Sequence, residues 1–178
     1  MNLIVFSSNP SIPTGRRAIT VTKGDIIHHP QHGIGTVQSI RKRSFSGPNE
    51  SRFAKLFFPQ NEMTMMVREQ DLGESVRKPI AKKTAQEVLA HIDRFEETVS
   101  EQWKTRANKL QAKLDDGDPF SLAEVYKTLS LRQKAENLSA ADRRQLSQSE
   151  ERLAEELAMA FGNSRGEILE RMESSALA

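Results

Sequence analysis

The chain has 178 residues, 37% hydrophobic and 28% charged, with a formal net charge of +2 and no cysteine. That fits one domain or two small ones; it excludes a collagen-like or low-complexity chain, a disulfide framework, and a thiolate metal site or thiol nucleophile. No apolar run approaches the ~18 residues of a membrane span, and Leu3-Ile4-Val5-Phe6 falls short of a signal-peptide core of ~7–15 residues, so a cytoplasmic protein with no membrane partner is expected.

Residues 1–22 mix Ser, Pro, Asn and Thr with little periodicity and read as a flexible leader. From Lys23 the text is strands and turns. Asp25–His29 is a short strand stopped by Pro30, and Gly33-Ile34-Gly35 is a turn or bulge. Thr36–Phe45 is a strand, Ser46–Asn49 a turn, Arg52–Phe58 an apolar strand ending at Pro59, and Gln60–Glu62 a turn into the strand Met63–Val67. Four or five short strands within so little chain fit a small twisted barrel spanning residues 23–78.

After Pro79 the period becomes helical and caps punctuate it. Thr84–Glu87 is a capping-box pattern, followed by Val88, Leu89, Ile92 and Phe95 on one face. Ser100 is a candidate cap for a helix carrying Trp103, Ala107, Leu110 and Leu114 and ending near Gly117. Asp118-Pro119 opens a third helix with Leu122, Val125, Tyr126 and Leu129. Ser139–Asp142 opens a fourth with Leu146, Leu153, Leu157 and Phe161, stopped by Gly162; Ser164–Glu167 starts a short last one. The fold class is therefore α+β: a barrel followed by a four- to five-helix bundle over residues 79–178.

Charge is distributed unevenly. Residues 1–78 carry a net +5 and residues 79–178 a net −3, so any nucleic-acid contact in the second half must be local. Gln102–Lys113 is the place for it, with Lys104, Arg106, Lys109 and Lys113 and no acidic residue. Trp103, the single tryptophan, has two readings: an anchor in the bundle core, or an exposed ring that presses into a minor groove beside basic side chains that hold phosphates. The strand Met63–Val67 alternates too, with Met63, Met65 and Val67 toward the core and Met66 exposed. Met66 would then either pack plainly or meet a partner, whose own strand could pair with this edge.

Catalytic patterns are missing. There is no Gly-x-Ser-x-Gly, phosphate loop or His-Glu-x-x-His, so no enzyme, catalytic residue or cofactor is expected. His28, His29 and His32 are close in sequence, but neighbours on a strand point to opposite faces and no carboxylate completes a site. A turn explains them better than a metal.

From about Lys23 to Ala160 the chain resembles the CarD/CdnL bacterial transcription regulators. The shared text is Gly24-Asp25, Pro30-x-His32-Gly33-x-Gly35 and Met63-Thr64-x-Met66-Val67. It continues with Trp103-x-x-Arg106, Lys113-Leu114-x-x-Gly117-Asp118, Leu122–Val125, Leu138-Ser139 with Arg144, and Glu156-Leu157-Ala158. The resemblance implies a Tudor-like domain that binds the RNA polymerase β subunit, with Arg43, Met65, Met66, Val67 and Arg68 as candidate contacts. It also implies a helical domain that touches promoter DNA at the upstream edge of the melted bubble, with Trp103 as wedge and Lys104, Arg106, Lys109 and Lys113 beside it. The protein would act as a monomer and stabilise the open complex. Thr105, Ala107 and Asn108 depart from the basic or aromatic residues common in relatives, and Arg68 from a common Pro. An alternative is a polymerase-binding adaptor whose bundle recruits another protein rather than DNA.

Overall fold

A computed structural model describes residues 3–5, 19–43, 51–96 and 103–177; for residues 3–5, Trp103 and Lys104 it describes the backbone only. The chain forms two compact units, Met1–Pro79 and Ile80–Ala178. No helix among the described residues is long and apolar enough to cross a membrane.

The first unit is a five-stranded sheet: β1 (Leu3–Val5), β2 (Ile26–His29), β3 (Gly33–Arg43), β4 (Ser51–Phe58) and β5 (Met63–Arg68), in the order β1-β5-β4-β3-β2. All neighbours are antiparallel except β1, which runs parallel to β5. A short helix, α1 (Leu72–Ser75), follows. The chain then returns to β2, where His28 and Arg77 exchange backbone bonds of 2.8 and 2.9 Å. That return ties the segment after β5 to the first antiparallel strand and gives the module its barrel-like closure. Val21, Ile27, Val37, Ala54, Leu56, Phe58, Met65, Leu72 and Val76 fill its core.

Two expectations change here. The leader is structured where it is described: Leu3–Val5 is a strand, Val21 is in the core and Ile19 packs against it. Residues 33–35 are the start of β3 rather than a separate turn; the register shift lies farther on, between Val37 and Ser39. Gly35 is buried because Phe58 needs its space: a Cβ there would sit 2.6 Å from Phe58 Cε1 and 3.0 Å from the Phe57 carbonyl oxygen. The expected turn Ser46–Asn49 lies outside the described residues.

The second unit is a bundle of five helices: α2 (Lys82–Arg94), α3 (Trp103–Asp116), α4 (Pro119–Ala135), α5 (Ala140–Phe161) and α6 (Arg165–Leu177). Its caps follow the sequence closely. The Asp118 carboxylate accepts from the backbone N–H groups of Phe120 and Ser121, both at 3.0 Å, with Pro119 in the first helical position. Ser139 Oγ accepts from the Asp142 N–H at 3.1 Å and donates to its carboxylate at 2.8 Å. Gly162, at φ +70°, ends α5 in the left-handed region where a side chain is strained. Ser164 and Glu167 bond reciprocally ahead of α6.

Thr84 is not a cap. The helix starts at Lys82, behind Ala81, which offers no side-chain bond. The reason is tertiary: the Ile80 N–H donates to the fully buried Glu156 carboxylate at 3.0 Å, fixing the chain ahead of the helix. The proposed Ser100 cap lies outside the described residues. Helix α4 runs through the middle, buried at Leu122 and Ala123 and from Val125 to Leu129, Lys127 and Thr128 included; Lys127 Nζ reaches the Ser175 carbonyl near the end of α6 at 3.4 Å.

Replacing Gly35 by alanine is expected to cost about 1–3 kcal/mol through overpacking against Phe58, outweighing the ~0.5–1 kcal/mol that the loss of glycine entropy returns. Urea denaturation of the two proteins measures the difference.

Candidate polymerase and nucleic-acid interfaces

The register of the sheet sorts its side chains into rows. Val37, Leu56 and Met65 form one row, and Ile40, Ala54 and Val67 another. Both belong to the core face, with Ile40 and Val67 at its margin. The rows between them carry Ser39, Lys55 and Met66, and then Arg41, Phe53 and Arg68; side chains matched in this way share one face. On that outer face a groove of about 160 Å³ is lined by Ser39, Arg41, Arg43, Phe53, Lys55 and Met66.

Two of the five candidate polymerase contacts, Arg43 and Met66, therefore line a single groove, and Arg68 extends the same face. Met65 and Val67 point inward as their alternation predicts. The exposure expected of Met66 does not hold, since it is only 9% exposed. β5 is not an edge strand along its whole length: β1 lies on one side, with Val5 opposite Met66, and β4 on the other, with Lys55 opposite it. The surrounding basic side chains, with long aliphatic stems, wall the groove. Arg41, Phe53 and Lys55 were missed in the linear reading. The period-two alternation of Arg41 with Arg43, and of Phe53 with Lys55, is the signal that places each pair on one face.

His28 and His29 end β2, and His32 lies in the turn that follows it. His29 and His32 stack with ring centroids 4.5 Å apart, beside Phe58. The Gln31 N–H donates to His29 Nδ1 at 3.1 Å, which makes that nitrogen an acceptor. His28 is fully buried. Among the described residues there is no group of three or more His, Asp or Glu side chains able to hold a metal.

In the bundle, Trp103 and Lys104 open α3, and their side chains lie outside the described part. Arg106, Lys109 and Lys113 follow at i, i+3 and i+7, one stripe of the helix. Next to that stripe Leu110 and Leu114 enter the core. Polar ties from α5 fix α3. Gln145 of α5 donates through Nε2 to the Ala107 carbonyl and to Gln111 Oε1, both at 3.2 Å. Arg152 donates to the Leu114 carbonyl at 3.0 Å, a cation at the negative end of the helix.

Lys113 is drawn into the bundle. Its Nζ lies 2.5 Å from Glu124 Oε2 and 5.6 Å from the centre of the Phe95 ring, while Glu124 Oε1 lies 3.1 Å from His91 Nε2. Burial raises the Glu124 carboxyl, but the bonds and charges of Lys113 and His91 outweigh that and hold it below the usual carboxylate range. Of the five candidate DNA-contacting residues, then, Lys113 already has an anionic partner. Lys109 is exposed and Arg106 half-buried.

Comparison with known proteins covers both units. Residues 21–80 match the family described as CarD-like/TRCF RID domain, and residues 87–173 the CarD C-terminal domain. A protein of Bacillus subtilis (strain 168) named "Putative transcription factor YdeB" is 26% identical over 148 residues, covering 82% of this chain and 95% of that protein.

Glu124→Gln is expected to lower stability by about 1 kcal/mol at pH 7, a value kept small by solvent screening of these partly exposed side chains. Because the folded carboxyl is held low, its contribution is complete above the unfolded value near 4.5 and fades as pH falls through the depressed folded value. Urea melts at pH 7 and pH 3 test this; an undiminished gap at pH 3 would assign the loss to packing rather than charge.

Proposed function

The chain belongs to the CarD family of transcription regulators, whose members act through RNA polymerase, and on that premise we propose that its two units together stabilise promoter open complexes. The first unit binds the polymerase β subunit through β5 and the outer-face groove. Arg43, Met66 and Arg68 supply side-chain contacts, Arg41 and Lys55 add charge, and Met65 and Val67 hold the strand in place from the core side. A basic groove that Phe53 also lines suits an acidic partner surface, where charge complementarity sets encounter rate and register.

The second unit contacts DNA at the upstream edge of the bubble through the start of α3. Trp103 is the wedge, and Lys104, Arg106 and Lys109 hold phosphates; Lys113 contributes from the flank while paired with Glu124. The observation that carries this reading is the opening of α3, Trp103-Lys104-Thr105-Arg106, which has two cations and no acidic residue in its first turn. Cations there oppose the helix dipole, and a phosphate at the same place relieves that opposition while accepting the helix's N–H groups. The protein acts by linkage: binding the open state more tightly than the closed one shifts the population toward it, about tenfold for every 1.4 kcal/mol of preference.

The decisive measurement is the lifetime of promoter open complexes on cognate polymerase with no addition, with wild type, or with Trp103→Ala. Wild type is expected to lengthen it, and the variant to bind polymerase without doing so. Equal action by both proteins would make Trp103 a bundle anchor. No effect from either, with polymerase binding intact, would favour the adaptor that recruits a protein.

For the polymerase contact, Met66→Glu is expected to weaken binding about tenfold, ~1.4 kcal/mol. Because Met66 is nearly buried, Arg43→Glu serves as its companion on an exposed residue. Unchanged affinity in both would remove the groove from the interface.

A further inference from the structure

We propose that Leu3–Val5 is a built-in competitor for the polymerase strand, a leader segment that must leave β5 before the first unit can pair with its partner. This inference rests on the reading of β5 as the polymerase-binding strand. A strand has two hydrogen-bonding sides. On β5, β4 takes one side from Met63 to Arg68, and β1 takes the other from Thr64 to Met66. Beyond Met66 no described strand continues on β1's side. A partner strand can therefore add to β5 along Thr64–Met66 only where β1 now lies.

The leader is built for reversible occupation. Leu3-Ile4-Val5-Phe6 is an apolar, β-prone run set among Ser, Asn, Pro and Thr. The ladder it makes spans three residues, shorter than most stable strands, so displacement costs few backbone bonds. It is covalently joined to the barrel, so a displaced strand remains at a high local concentration, ~mM for a short connection. A weak ladder at high local concentration gives a closed state that is populated yet open to competition. Among the described side chains, the core of the barrel is supplied from Ile19 and Val21 onward. Polymerase affinity is then reduced by the fraction of molecules whose edge is open.

The test compares the full-length chain with Ile4→Pro, which removes a backbone donor from β1 and disfavours its pairing. A variant lacking residues 1–18 is the second construction, since it keeps Ile19 and Val21. Two quantities are read: affinity for RNA polymerase, and amide hydrogen exchange across Met63–Arg68 with and without polymerase. Both variants are expected to exchange faster along β5 when free and to bind polymerase about three- to tenfold more tightly. Unchanged affinity, with β5 still protected by polymerase, would overturn the competitor and leave the polymerase site standing. Weaker binding would overturn it by making the leader part of the contact surface. If polymerase does not protect β5 in any of the three proteins, the assignment of that strand to polymerase fails, and the competitor with it.

Discussion

The alternation of side chains along β5 is the constraint on which the first unit depends. Met65 must enter the barrel core for the sheet to close over Leu56 and Phe58, and a period of two then sends Met66 to the opposite face. The two neighbours inherit the same division. Leu56 and Ala54 of β4 follow Met65 and Val67 inward, while Lys55 and Phe53 follow Met66 and Arg68 outward. A basic groove on one face and an apolar core on the other are thus two consequences of one register. A one-residue slip would exchange them, so the candidate interface is as strongly specified as the core.

The bundle meets a different problem. Helix α3 is rich in charge, and among its described side chains the large ones in the core are Leu110 and Leu114. Its position is fixed as well by polar ties: Gln145 to Ala107 and Gln111, Arg152 to Leu114, and Glu124 to Lys113. Such bonds are directional, so they define the rotation of the helix more sharply than apolar contact would. For a helix whose first turn is proposed to meet DNA, a fixed rotation is worth more than additional burial. Lys113 shows the other side of that arrangement, since the charge that orients the helix is partly neutralised by Glu124.

Much of the fold was legible because local chemistry and tertiary structure agree. Asp118, Ser139, Gly162 and Ser164 mark helix ends through bonds made within a few residues, which are visible in sequence as cap patterns. Thr84 shows where that logic stops. Its pattern is equally good, yet the helix begins three residues earlier, capped at Ala81, because Ile80 is held by Glu156, 76 positions away. Arg41, Phe53 and Lys55 were missed in the candidate site for a related reason: each looks like ordinary strand text until β3, β4 and β5 are aligned.

The sequence by itself determined the α+β order, the change of period near Pro79, most of the helix caps, the inward and outward sets along β5, and the basic opening of α3. All of these rest on periodicity or on bonds between near neighbours in the chain. Only the tertiary structure decided that Leu3–Val5 joins β5, that Met66 is covered, that Gly35 yields its space to Phe58, and that Lys113 is paired. Each depends on which distant segment lies alongside. Strand partners and ion pairs are chosen by the closing of the fold, and a local pattern carries no record of the residue that will stand opposite.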